Sequence, residues 1–219
     1  MNFEVVQNDI TNMSVDAIVL PANEELKEGR GTSHAIFVKA GRKSLKKACQ
    51  DIAPCKVGDA VPTLAFNLDS NYIIHAVVPK WIDGNHQEYD YLSATYLSAL
   101  KAADVMECNS IAFPLLASGN NGFDLNLAYE IAKTTIESFT GSNLQRIALV
   151  VYGDNIATFF KGKGIHIVNL QVESDLAKAK HQALRKQRFK ASTKLATTIL
   201  EEQLAKSVEY LKDEENRKK

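Results

Sequence analysis

The sequence predicts an α/β fold in which helices cover both faces of a mixed, mostly parallel sheet. Three observations carry this. Apolar runs alternate with amphipathic stretches along the chain. The central runs "DAIVLPA" (16–22), "SIAFPLLA" (110–117) and "RIALVVYG" (146–153) are continuously apolar rather than alternating. Glycine- and asparagine-rich segments then join strands directly to helices. A strand that is apolar on both sides needs cover on both sides, which parallel sheets receive from their crossover helices.

The elements follow in order. "FEVVQ" (3–7) reads as a first strand, and the run at 16–22 as a buried second one that ends in a loop at Pro21 and Asn23. The stretch 25–33 is a loop of glycine and small polar residues. Apolar residues at helical spacing fill 34–52, with Gly41 breaking the stretch into two helices. "DAVPTLAF" (59–66) and "YIIHAVVP" (72–79) are β-rich runs joined by the turn-like "NLDSN". A long helix is expected over 89–106, a strand over 110–117, a helix over 123–139 and a strand over 146–153. A short helix over 155–164 and a last strand over 165–172 complete the body. On the helix at 123–139, Leu125, Ala128, Ile131, Ala132, Thr135 and Ile136 share one face.

The net charge of zero hides an asymmetry. Residues 1–174 carry 14 Lys+Arg against 19 Asp+Glu, a balance of −5, and residues 175–219 carry 12 against 7, a balance of +5. From residue 175 onward there is no glycine or proline. Leu200, Leu204, Val208 and Leu211 form a stripe, and seven basic residues with no acid lie between 176 and 200. The expected organisation is a body over 1–172 and a charged helical extension over 173–219. The acidic body argues against nucleic-acid binding by the core, because phosphate contacts need Lys and Arg. The basic run leaves that option open for the tail, alongside a plain solvated helix face. Neither a secretory leader nor a membrane span is expected, and the reading is a cytoplasmic protein. Cys49, Cys55 and Cys108 fit no metal-ligand spacing and read as reduced thiols.

Open α/β sheets bind ligands at the carboxyl ends of their strands. Three loops have that position: after Ala22, after Ala117 and after Tyr152. Two of them, "EGRGTS" (28–33) and "ASGNNG" (117–122), are glycine-rich and precede helices, an arrangement that suits an anion. Neither is a Walker A loop or a dinucleotide fingerprint. Together they suit a diphosphate held by backbone amides; the plain alternative is that the glycines serve only as turns.

"NDIT" (8–11), "VDAIVLPANEEL" (15–26), "EGRGTSHAIFVKAG" (28–41), "YIIHAVVP" (72–79) and "PLLASGNNGF" (114–123) occur in that order. The set resembles the macrodomain family of ADP-ribose-binding modules over roughly residues 1–170. The resemblance implies a three-layer α/β/α sandwich, with the tail outside it. It implies ADP-ribose as ligand, with no cofactor and no metal. Asp9 matches the acceptor of the adenine amino group and Ile10 a backbone donor to the ring, although Asp9 also suits a turn cap. Asn23 matches the amide that holds the distal ribose. Gly29, Gly31, Thr32 and Ser33 would line one phosphate loop, and Ser118, Gly119, Asn120, Asn121 and Gly122 the other. Phe123 would pack by the distal ribose. Tyr152 would stack on adenine, unless it is buried in the core. His75 lies inside a strand and reads as structural. His34 opens a helix beside the first loop.

The chain departs from the family pattern at Asn8, at Leu20 and Pro21, at Ser33 and at Asn121. Ser33 stands where a hydrolase subgroup has an aspartate; a serine positions water but is a poor base. Asn121 stands where many members place an aromatic. Asn23 and Ser33 are therefore the candidate catalytic pair. The implied function is an ADP-ribosyl hydrolase acting on modified proteins or on O-acetyl-ADP-ribose. The alternative is a non-catalytic reader of ADP-ribosylated proteins.

Overall fold

The computed structural model describes residues 1–169. The extension expected over 173–219, its stripe and its basic run lie outside those residues, as does the end of the last expected strand.

The strands are β1 (Asn2–Gln7), β2 (Ala17–Ala22), β3 (Ala60–Leu64), β4 (Tyr72–Val77), β5 (Ser110–Pro114), β6 (Arg146–Val151) and β7 (Ile167–Asn169). The helices are α1 (Thr32–Ala40), α2 (Arg42–Gln50), α3 (Glu88–Val105), α4 (Leu125–Ser138) and α5 (Asp154–Gly162). The strands form one sheet in the order β3-β4-β2-β5-β6-β1-β7. Only β3, paired with β4, runs antiparallel among these strands. No helix among the described residues is long and apolar enough to cross a membrane.

The alternation of side chains along each strand sorts the core into two layers. On one face Ala17 and Val19 of β2, Ile111 and Phe113 of β5 and Ile147 and Leu149 of β6 pack with α3, α4 and α5. On the other, Ile18, Leu20, Ala112, Ala148 and Val150 pack with α1 and α2. This is the three-layer sandwich, and it explains why the central strands are apolar without interruption. The helical face expected on α4 buries Ala128, Ala132, Thr135 and Ile136, while Leu125 and Ile131 are half-buried.

Gly41 does break 34–52 into two helices: at φ +101° it ends α1 and begins α2. Several strands end earlier than expected: β3 covers Ala60–Leu64, β4 stops at Val77 and β6 at Val151. β5 stops at Pro114 rather than continuing to Ala117. Tyr96 of α3 explains where the chain turns away, because its buried hydroxyl accepts the Leu116 N–H at 2.9 Å. Ala117 then adopts φ +63°.

The two ends of the sheet differ. At the amino ends Asp16 Oδ2 accepts the N–H groups of Asn109 (2.9 Å) and Ser110 (3.1 Å), tying β2 to β5. The carboxyl ends carry the glycine loops and enclose the cleft.

Candidate functional site

The cleft has a volume of about 1300 Å³. Sheet order lays out its length. At one end lie Asp9 and Ile10 after β1 and Tyr152 after β6. The loops following β2 and β5 line the middle. Lys80, Ile82, His86 and Glu88 after β4, with Lys56 and Val57 before β3 and Tyr91 of α3, line the other end.

The first loop is fixed from outside. Glu28 receives Arg42 at 2.9 Å, Lys46 at 3.1 Å and His34 at 2.9 Å. Burial raises the Glu28 pKa, but the hydrogen bonds and charges of Arg42 and Lys46 outweigh it and hold the carboxyl below its usual value. His34, expected beside the loop, therefore hydrogen-bonds the carboxylate that anchors it. Gly31 sits at φ +58°, ψ −125°, backbone that a residue with a Cβ rarely adopts. It begins α1, and no side chain caps that helix. The first N–H groups of a helix have no partner within it and carry a partial positive charge. Gly31, Thr32 and Ser33 line the cleft, so this open helix terminus meets it directly.

Ser33 is 4% exposed and its Oγ accepts the Gly29 N–H at 3.0 Å. Its hydroxyl closes the loop, a duty the sequence did not reveal, and retains its hydrogen for donation. Asn23 has a similar double engagement. Its Oδ1 accepts from Lys27 N and its Nδ2 donates to Lys27 O, both at 3.0 Å. The amide thus shapes the 23–27 turn while lining the cleft. Asp9 is the expected turn cap, with Oδ1 accepting from Thr11 N and Thr11 Oγ1, both at 2.8 Å, and the residue also lines the cleft.

The second loop is built differently. Ser118 Oγ donates to Leu115 O at 2.8 Å, and Gly122 N donates to Gly119 O at 3.0 Å. Asn121 Nδ2 donates to Pro79 O at 2.7 Å, and Trp81 N donates back to Asn121 O at 2.8 Å. Asn121, the departure at an aromatic position, is a tie between two loops. Ser118 to Asn121 line the cleft, but Gly122 and Phe123 do not. Phe123, expected beside the distal ribose, is engaged within the protein. Its ring is 4% exposed and packs edge-on to Trp81, with centroids 5.1 Å apart. The reading of this loop as a second open helix terminus is corrected. Asp124 Oδ1 already accepts the Asn126 and Leu127 N–H groups at 3.0 Å, capping α4.

Tyr152 is 73% exposed at the cleft edge, so the core-burial alternative fails. His75 is fully buried, and its Nε2 lies 2.9 Å from Thr63 Oγ1. Burial lowers its pKa to about 3, and the structural reading holds.

Sequence reasoning missed the segment 80–88. Glu88 draws it together, accepting from the N–H groups of Ile82 (3.1 Å), Asp83 (3.1 Å), Gly84 (3.0 Å) and His86 (2.6 Å). Burial pushes its pKa up, but those N–H groups more than compensate and hold it at about 2. Asp83 Oδ1 lies 3.0 Å from His86 Nδ1, giving the cleft an oriented imidazole. The signal was the clustering of Asp, His and Glu in "WIDGNHQE". The same three side chains lie close enough to share a cation, although Glu88 is occupied by backbone.

This arrangement, an open helix terminus between a carboxylate-and-tyrosine end and a wide lysine-bearing end, can be set beside known proteins. The Macro domain family model matches residues 19–132. The chain belongs to the macro domain family. It is 44% identical over 143 residues to a macro domain-containing protein of Listeria monocytogenes, covering 64% of this chain and 81% of that protein. It is 42% identical over 139 residues to a protein of Escherichia fergusonii named O-acetyl-ADP-ribose deacetylase, covering 62% and 78%. Among solved structures, an Oceanobacillus iheyensis macrodomain with ADPR aligns with a TM-score of 0.69 at 30% identity, covering 74% of this chain and 90% of that one. A Trypanosoma brucei macrodomain in complex with ADP-ribose aligns at 0.66 and 25% identity, covering 74% and 68%.

Proposed function

We propose that this macrodomain binds ADP-ribose in the cleft and hydrolyses ADP-ribosyl esters, acting on modified proteins or on O-acetyl-ADP-ribose. The observation that carries the reading is the uncapped α1 terminus behind Gly31, opening onto the middle of the cleft. A diphosphate there meets unpaired N–H groups and a favourable dipole. In this reading adenine lies toward Asp9, Ile10 and Tyr152, and Gly29 to Ser33 and Ser118 to Asn121 hold the diphosphate from two sides, with Gly122 shaping the second loop. Asn23 holds the distal ribose. Similarity to an O-acetyl-ADP-ribose deacetylase supports the hydrolytic part.

Ester hydrolysis needs a placed water. Its oxygen bonds to the acyl carbon, the bond from that carbon to the ribosyl oxygen breaks, and one water proton ends on the released ribose hydroxyl. Ser33 already accepts from Gly29, so it contributes by donating its remaining hydrogen and orienting groups, not by removing a proton. The bound phosphate supplies a second handle for the water. Positioning of this kind is worth about 7–11 kcal/mol in favourable intramolecular systems.

The reader alternative draws on one observation. The carboxylates lining the cleft are Asp9, Glu24 and Glu88, and none stands at position 33. A protein carrying mono-ADP-ribose on acidic side chains separates the two. Wild type is expected to release ADP-ribose, and Asn23→Ala to release it much more slowly. Stable retention without release makes the protein a reader. Neither retention nor release removes ADP-ribosylated protein as the ligand.

A further inference from the structure

The acidic balance of the body conceals a second asymmetry, between its two helical layers. α1 and α2, with Gly41 between them, carry Lys39, Arg42, Lys43, Lys46 and Lys47 and no Asp or Glu. α3, α4 and α5, on the opposite face of the sheet, carry six Asp+Glu against three Lys. The average over the body therefore hides a cationic face.

α2 concentrates that charge. Leu45 and Cys49 are buried, while Arg42, Lys43, Lys46 and Lys47 are exposed. Residues four apart on a helix stand one above the other, about 6 Å along the axis. Positions 42 and 46 thus form one row, and 43 and 47 a second row beside it. The two rows differ. Arg42 and Lys46 reach Glu28 at 2.9 and 3.1 Å. Lys43 and Lys47 have no hydrogen-bond or ion-pair partner among the described residues. Two acids border the rows along the chain: Glu28 behind the first, and Asp51, exposed at the C-cap of α2, beyond the end of the second. Five bases against these two leave a clear positive excess.

The other end of α2 adjoins an aromatic residue. Asn67 N donates to Ala40 O at 3.2 Å, and a Cβ placed on Gly41 would meet Asn67 Nδ2 at 3.0 Å. The turn between β3 and β4 is thereby seated against the junction of α1 and α2. Phe66, the preceding residue, is 36% exposed and sits at φ +51°, left-handed backbone that bulky residues seldom adopt.

We propose that the α2 ridge binds single-stranded nucleic acid, with Lys43 and Lys47 meeting successive backbone phosphates and Phe66 stacking on a base. A cationic track beside an aromatic ring is the general form of single-strand sites, and a basic stripe on one helix is their electrostatic footprint. An acidic peptide fits less well, because Arg42–Gln50 exposes no apolar side chain to anchor a protein interface. None of these residues lines the cleft, so the inference stands apart from the ADP-ribose reading.

The test is the fluorescence anisotropy of a short labelled single-stranded oligonucleotide titrated with the full chain. The basic run at 176–200 is present in wild type and variants alike, so differences between them report the ridge. Lys43→Gln combined with Lys47→Gln is expected to weaken binding about tenfold and to lower the slope of log affinity against log salt by about 1.4, since each single-strand phosphate contact contributes about 0.7. Both lysines are exposed and unpaired, so the Tm should stay at the wild-type value. Phe66→Ala is expected to cost about fivefold or more. Absence of binding by wild type, or a double lysine variant within about twofold of wild type with an unchanged salt slope, would overturn the proposal. Equally tight binding of a polyglutamate peptide would overturn the choice of nucleic acid as the partner.

Discussion

Loop 28–33 is held by charges behind it and ends in an open helix terminus, whereas loop 117–122 is held by its neighbours and ends in a closed one. In the first, Glu28 binds Arg42, Lys46 and His34 on the side of α1 and α2, and nothing caps α1. In the second, Tyr96 and Asn121 fix the chain against α3 and the segment after β4, and Asp124 satisfies the first N–H groups of α4. Both are glycine-rich turns between a strand and a helix, and sequence alone treats them as equals. Their hydrogen-bond accounts show that only one helix of the pair offers its dipole to an anion. In the proposed reading the second loop contributes through its own turn amides and its shape.

Four substitutions break or sharpen that contrast. The largest effect is expected from Gly31→Val. Forcing a side chain into φ +58°, ψ −125° costs about 1–3 kcal/mol, and the variant should bind ADP-ribose at least about tenfold more weakly in a calorimetric titration. Asn121→Ala comes next. It strips the partner from Pro79 O and leaves the two loops joined only by the main-chain bond from Trp81 N to the residue 121 carbonyl. A stability loss of about 1–2 kcal/mol is expected in chemical denaturation, with a several-fold weaker Kd. Asp124→Ala removes a helix cap at a cost of about 1 kcal/mol. Because that terminus does not serve the ligand, the Kd should stay within about twofold; a large loss of affinity would erase the distinction between the loops.

The smallest effect is expected from Glu28→Gln, and it depends on pH. The folded-state pKa of Glu28 is depressed by Arg42 and Lys46. Its stabilisation is therefore complete above the ordinary glutamate value, about 4.3, and fades as pH falls through the lower folded value. Wild type should exceed the variant in Tm at pH 7, and the two should converge in acid. Persistence of the gap below that range would mean that the carboxylate charge is not what anchors the loop.

Much of the fold was legible because its causes are local. Continuous apolar runs announce doubly covered strands, and Gly41 at φ +101° announces the break between α1 and α2. The ordered motifs located the cleft for the same reason, since each lies at a strand end. What escaped the sequence depends on which partner each side chain takes, some distant along the chain and some only a few residues away. Phe123 reads as a ligand residue until Trp81, forty-odd positions earlier, covers it. Asn121 reads as a lost aromatic until its amide meets Pro79. Ser33 reads as a substitute for an acid until its hydroxyl is found on Gly29. The segment 80–88 has no periodicity, so its place in the cleft emerged only from the hydrogen bonds that converge on Glu88.

The central claim is that ADP-ribose places its diphosphate on the open terminus of α1. The most direct measurement is the backbone amide spectrum of the full chain titrated with ADP-ribose. The N–H resonances of Thr32, Ser33 and His34 should move strongly and saturate together, while those of Asn126 and Leu127, already bonded to Asp124, should hardly move. Saturating shifts at Asn126 and Leu127 with none at Thr32 to His34 would contradict it.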